Sequence, residues 1–301
     1  MSSTMLQLVN QVQNELNLAV STSVAGNPNT DVQQILALMN GAGYDLVKEH
    51  DWQALQVQYR FYTQAINCNA TTVNGSLNIA VEAGVDISAV TSQWQITGNN
   101  INQDTNVVSV SGQNIVMSQQ ASGTGTGAIV LAQTAYSLPP DFERITNRTQ
   151  WDKTKRWEAL GPEDAQQWQW LKSGYIATGP RIRWRILDNQ FQVWPPMNTQ
   201  EYLGWEYKSK GWARNAAGQV INSFTMDTDT TVFDDRILVL YTKLKYFQIK
   251  SFDTTALQQD YQRYLSIAKA NDKGSATLSF APSPSAVLIG WANIPDTGYG
   301  S

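Results

Sequence analysis

The chain holds a single histidine, His50, and a single cysteine, Cys68. Structural zinc sites of the Cys/His type, disulfides within the chain and dithiol redox chemistry are therefore excluded by count. Histidine-based catalysis would rest on His50 alone. It sits in KEHDWQAL, near a predicted helix end, with no second histidine for a relay or a metal pair, and a cationic or capping role fits that position better. Two acid pairs, Glu163-Asp164 and Asp234-Asp235, have the residue types for carboxylate hydrolysis. Both stand where helices are predicted to start, and the helix dipole accounts for acids there. The GTGTG run at 123–127 lacks the Gly-Lys-Ser/Thr ending of a phosphate loop and precedes a β run, so it reads as a turn. The reading is of a chain that is not an enzyme and carries no cofactor.

Arg181, Arg183 and Arg185 alternate with Ile182, Trp184 and Ile186, which sets three guanidinium groups on one face of a strand. With Lys208, Lys210 and Arg214 further along, they form the candidate patch for a DNA channel or a docked partner. Contact with phosphate there would be independent of base sequence. The competing reading is a solvated strand face answered by cross-strand acids such as Glu201 and Glu206. Trp168, Trp170 and Trp184 read as core or interface residues rather than as stacking platforms.

These residues need elements to position them. Met5, Leu8, Val9, Val12, Leu16 and Ala19 recur at helical spacing, and Val32, Ile35, Leu36, Met39, Ala42 and Leu46 form a second stripe. Thr30 is the expected N-cap of that second helix, with Gln33 completing a capping box. Residues 56–66 alternate as a strand. To about residue 133 short β runs (SLNIAV, SQWQIT, NVVSV, QNIVMS, AIVLAQT) then recur between Asn, Gly and Asp turns, the cadence of a small barrel or sandwich. A short helix is expected over AQQWQWLKS, with Pro162 early in its first turn, followed by strands at 181–187, 190–194 and 201–208. Asp188-Asn189 is the turn between the first two. Two helical stripes, Ile237 to Phe247 and Leu257 to Ala268, complete the pattern.

Charge divides along this order. Residues 1–143 carry two basic residues against ten acids, a net −8, and 144–274 carry nineteen against fourteen, a net +5. No Lys or Arg lies between Arg60 and Arg144. The whole-chain value of −4 argues against a dedicated nucleic-acid binder, which carries a strongly basic face. No apolar run approaches the roughly 18 residues of a membrane span, and the first residues lack a basic then apolar leader pattern. The product is expected to be soluble, to have no membrane partner, and to stay in the reducing compartment where it is made.

The ordered series GYDLVKEHDWQAL, LPPDFERITNRTQWDKTKRWEALGPEDAQQWQWLK, RIRWRILDNQFQVWPP, EYKSKGWARN and FTMDTDTTVFDDRILVLYTKLKYFQIK resembles the head-to-tail adaptor proteins of short-tailed bacteriophages, the group that includes tail tubular protein A. The likeness covers residues 5–66 and 135–272. It implies a virion protein made in the bacterial cytoplasm, forming a homo-oligomeric ring of typically twelve copies. Its partners would be the portal, the tail tube or nozzle and tail fibre proteins, with transient contact to phage DNA. The implied fold is α+β: an α-helical bundle with a small β framework at 1–66 and 135–274, an inserted all-β module at 67–134, and an extended C-terminal arm at 275–301. Phe280, Val287, Leu288, Ile289 and Trp291 would dock that arm on the portal. A different class remains open beside it, a carbohydrate-binding or cell-wall-degrading tail component, motivated by the Trp and Tyr content and the β module.

Overall fold

The computed structural model describes residues 3–173 and 181–273. In chain order it begins with α1 (Met5–Glu15), α2 (Thr30–Glu49), a 3-10 turn (Gln53–Leu55) and β1 (Gln56–Tyr62). β2 (Ala65–Thr72), β3 (Asn78–Val81), β4 (Trp94–Gly98), β5 (Thr105–Ser111), β6 (Asn114–Met117) and β7 (Gly125–Gln133) follow. Then come β8 (Ala135–Ser137), β9 (Phe142–Ile145), β10 (Trp151–Asp152), β11 (Trp157–Glu158), α3 (Ala165–Lys172), β12 (Arg183–Leu187), β13 (Gln190–Trp194) and β14 (Tyr202–Ser209). β15 (Ala213–Arg214), β16 (Val220–Ile221), β17 (Thr230–Thr231), α4 (Asp235–Ile249) and α5 (Thr255–Lys273) complete it.

The expected α-helical bundle is not what forms. Strands dominate: a closed six-stranded barrel, a five-stranded sheet and two three-stranded sheets, with α1, α2, α4 and α5 sharing one core and α3 packed apart from them. The reason is non-local. The five-stranded sheet draws β1, β9, β10, β11 and β14 from three distant stretches of chain, and no local period announces which of them pair.

Three large cores and a small cluster of Trp168, Leu171 and Trp194 hold this arrangement. The core of α1, α2, α4 and α5 buries Leu8, Val12, Ile35, Met39, Leu46, Leu238 and Val239 around Trp212. A second core lies between the five-stranded sheet and β12-β13-β8, where Phe191 stacks between Trp184 and Trp205 at centroid distances of 5.5 and 5.6 Å. The third fills the barrel, with Ile79, Trp94, Ile96, Ile115, Ile129 and Leu131 inside. The barrel closes in the order β2-β3-β6-β5-β4-β7, β2 and β7 pairing over eight residues. Its two ends meet where Gln133 N–H donates to the Gln64 carbonyl at 2.9 Å.

Caps differ in detail from expectation. The capping box belongs to α1, between Thr4 and Gln7, while α2 is capped by Asn29, whose side chain accepts from the Asp31 N–H, and Thr30 is already helical. Asn29 competes well because its amide oxygen reaches the backbone two residues on. Asp164 caps α3, so Pro162 precedes that helix rather than entering its first turn. Asp188 and Asn189 both adopt positive φ, 51° and 55°, the geometry of the two-residue turn that joins β12 to β13.

Candidate functional site

The residues with the most chemistry are spent on structure. His50 is the C-cap of α2; its ring meets Trp52 edge-on at 4.9 Å and its Nε2 lies 3.4 Å from Asp272 Oδ2. Cys68 points into the barrel, where burial, helped by Glu82, pushes its thiol up and away from the reactive thiolate form. Asp164 and Asp234 accept backbone N–H bonds as helix caps, and Glu163 is paired with Arg183 at 2.5 Å. In the GTGTG run, Gly125 and Gly127 belong to β7, and a Cβ on Gly127 would come within 2.6 Å of the Asn99 side chain. That crowding, rather than a phosphate, accounts for the glycine. Among the described residues no group of three His, Cys, Asp or Glu could hold a metal ion, and no helix is long and apolar enough to cross a membrane.

The basic residues do not assemble into one free comb. Arg181 is exposed and precedes β12. Arg183 answers Glu163, and the Arg185 guanidinium lies 5.8 Å over the ring of Trp168. Lys208 sits in a different sheet, 4 % exposed, donating to the His50 carbonyl at 2.7 Å and reaching Asp51 at 3.3 Å. Asp51 also pairs with Arg144. Burial alone would raise its carboxyl, but the two cations hold it below the usual carboxylate range. Lys210 follows β14, its N–H bonded to the Asp141 carbonyl, and Arg214 turns back onto the Gly211 and Ala213 carbonyls. Arg183 and Lys208 are therefore each answered by an acid, Glu163 and Asp51, which leaves Arg181 as the exposed member of the three arginines. Trp168 and Trp184 are buried, while Trp170 is half exposed. Phe280, Val287, Leu288, Ile289 and Trp291 lie outside the described residues.

What the fold does present is a helical hairpin with apolar surface to spare. α4 and α5 run antiparallel: Tyr241 stacks on Tyr261 at 4.6 Å, and the Arg236 guanidinium lies 5.9 Å over Tyr264. Burial pushes the Tyr241 hydroxyl up to about 12, with the charge of Asp45 and its hydrogen bond adding to the effect. Around this stack α5 is tied to α2 by Lys269–Glu49 at 2.7 Å and to the 3-10 turn by Asp272, which accepts from the Gln53 N–H with both oxygens at 3.1 Å. On the other side of α4, Glu15 of α1 takes Arg236 at 2.5 Å and Lys243 at 2.7 Å. Outside these ties Ile249, Phe252, Tyr264 and Ile267 remain in solvent, 56, 56, 40 and 47 % exposed.

Sequence reasoning placed the stripes of α4 and α5 but not this excess. The apolar spacing counts Tyr264 in the last stripe with Leu257, Tyr261, Leu265 and Ala268, but Tyr264 is exposed, as is Ile267 three residues on. Clefts lie elsewhere on the surface. One of about 330 Å³, between the barrel and β13, is lined by Gln93, Gln95, Asn106, Lys172, Gln190 and Gln192, a hydrogen-bonding set with no paired carboxylates. No protein-family model matches the chain, and no curated protein matches it in sequence.

Proposed function

We propose that the chain is a structural virion protein, a ring-forming head-to-tail adaptor that joins a phage portal to the tail tube or nozzle and lines the passage for DNA. The observation that carries the reading is α5. Of its described side chains it buries only Tyr261 and Leu265, and it leaves Tyr264 and Ile267 in solvent. A helix in water draws most of its stability from the face it packs, and one narrow stripe leaves the remaining surface for a neighbour. A second copy of the chain suits that surface, because a head-to-tail contact repeated by rotation closes into a ring. The ordered series of segments that resembles adaptor proteins points the same way. In this reading residues 275–301 reach the portal, Arg181 meets DNA in passing, and tail fibre proteins attach outside.

Native mass measurement, on the protein alone and after mixing with portal, tests it. A monomer alone and a closed ring on the portal is the expected result. Tyr264→Ala with Ile267→Asp should prevent the ring while leaving the far-UV circular dichroism unchanged. No assembly above the monomer in the presence of portal would overturn the reading.

A further inference from the structure

The cleft between the barrel and β13 is built from amides on two facing walls. On the barrel side Trp94 and Ile96 point into the core, so alternation along β4 turns Gln93 and Gln95 outward, and the residue opposite Gln95 on β5 is Asn106. On the other side Phe191 and Val193 belong to the second core, which leaves Gln190 and Gln192 on the face of β13 that looks back at the barrel. Lys172, in the last turn of α3, also lines the cleft. Its Nζ lies 3.0 Å from Asp104 Oδ1 and 5.7 Å from the centroid of the Trp194 ring.

Gln95 is the member of this lining that is left short. Its side chain is 2 % exposed, and its Nε2 donates to Asp104 Oδ1 at 2.9 Å. Its Oε1 is buried and, among the described residues, accepts from nothing. A buried acceptor without a donor is costly, so the position calls for a group that donates. The rest of the lining narrows the choice. Each side-chain amide offers a carbonyl acceptor and two N–H donors, which matches hydroxyl groups, since a hydroxyl both donates and accepts. An anion would meet Asp188, while Lys172, the cation among the described residues of the lining, is already answered by Asp104. An apolar ligand would strand the amides that it covers. At about 330 Å³ the cleft has the size of a small-molecule site. Asp188 is the one carboxylate among the described lining residues, and glycoside cleavage takes two, so the ligand is held and not cut.

We propose that this cleft binds a neutral saccharide, a mono- or disaccharide, with one hydroxyl donating to Gln95 Oε1 and others bonded to the amides of Gln93, Asn106, Gln190 and Gln192. No aromatic ring is among the described lining residues, so affinity rests on hydrogen bonds exchanged against those of water, and binding is in the millimolar range. The site needs one copy of the chain and no portal, and it does not depend on the adaptor reading.

NMR titration of the full chain without portal, following the side-chain NH2 signals of glutamine and asparagine, tests the site. D-glucose, maltose and N-acetylglucosamine are the probes, each added separately, with glycerol as the control. At least one saccharide should shift the signals of Gln93, Gln95, Gln190 and Gln192 to saturation, and glycerol should not. Gln95→Leu removes the unpartnered acceptor and Gln192→Ala removes an amide from the opposite wall. Each should weaken the titration about tenfold, the scale of one to two neutral hydrogen bonds, and Gln192→Ala carries the test alone if the buried Gln95→Leu fails to fold. Absence of saturation with all three saccharides would overturn the proposal. So would unchanged binding by Gln192→Ala, which would put the sugar elsewhere, and so would tighter binding of glucose 6-phosphate than of glucose, which would make the ligand an anion.

Discussion

Gly43 has no room for a methyl group. It lies in α2 against Trp212, and a Cβ there would stand 2.3 Å from Cε2 and within 2.6 Å of two more ring atoms. The indole is fully buried, with Phe224 edge-on at 4.6 Å, so it has nowhere to move. Gly41, two residues earlier in the same helix, would meet nothing within 4 Å. The pair separates packing from helix propensity. Gly41→Ala should stabilise by about 0.5–1 kcal/mol, since alanine is the better helix former. Gly43→Ala should destabilise by about 2 kcal/mol, the cost of overpacking outweighing the same propensity gain. Urea-unfolding midpoints for the two variants check both signs. At this scale the sequence was partly legible. His50, Asp164 and Asp234 stand at the ends of α2, α3 and α4, positions that the helical spacing lets one anticipate. The surroundings of the basic residues are not legible in the same way, because nothing local says that Glu163 answers Arg183 or that Lys208 turns inward to the end of α2. The need for glycine at position 43 was invisible, since it is set by a side chain 169 positions away.

At the scale of elements, the helices were the easiest to read, and their seams were not. The stripes of α1, α2, α4 and α5 follow from apolar spacing alone, but the ionic seam that fixes α1 on α4 joins Glu15 to Arg236 and Lys243 across the whole chain. Burial would raise the Glu15 carboxyl; Lys243 and Arg236 outweigh it and hold the group below its ordinary value. A depressed carboxylate stabilises the fold fully above its unfolded pKa and loses that contribution as the pH falls through its folded one. The seam therefore weakens on acidification below the ordinary carboxylate range. Glu15→Gln should lower stability near pH 7 and flatten the further loss between about pH 6 and about pH 3, read from urea midpoints along that series. Asp51 and Asp227 are depressed as well, so the acid limb should shrink in the variant without disappearing. The two-residue strands β10, β11, β15, β16 and β17 went unread, because a strand that short has no period to detect.

At the scale of the whole molecule, the stretch without Lys or Arg between Arg60 and Arg144 contains the barrel. Residues 65–133 hold three acids, Glu82, Asp86 and Asp104, and no Lys or Arg, and all six of their strands close on one another. The barrel core shares no residue with the other cores. Its ties to the rest are few and polar: Lys172 to Asp104 at 3.0 Å, the Asn67 side-chain amide to the Asn198 carbonyl at 2.9 Å, and the Thr134 N–H to the Gln93 carbonyl at 3.0 Å. Where the chain enters and leaves the barrel, Gln64 and Gln133 are already hydrogen-bonded neighbours. A cut at that point divides none of the buried apolar clusters and needs only a tight turn to rejoin the ends, because loop-closure cost depends on the separation spanned. Replacing residues 65–132 with a two-residue turn should thus leave a body that unfolds in one cooperative step, with the near-UV circular dichroism of its Trp184/Trp205 and Trp212 clusters retained. If the shortened chain loses that signal, the barrel is an integral part of the fold and its closed pairing does not make it a separable unit.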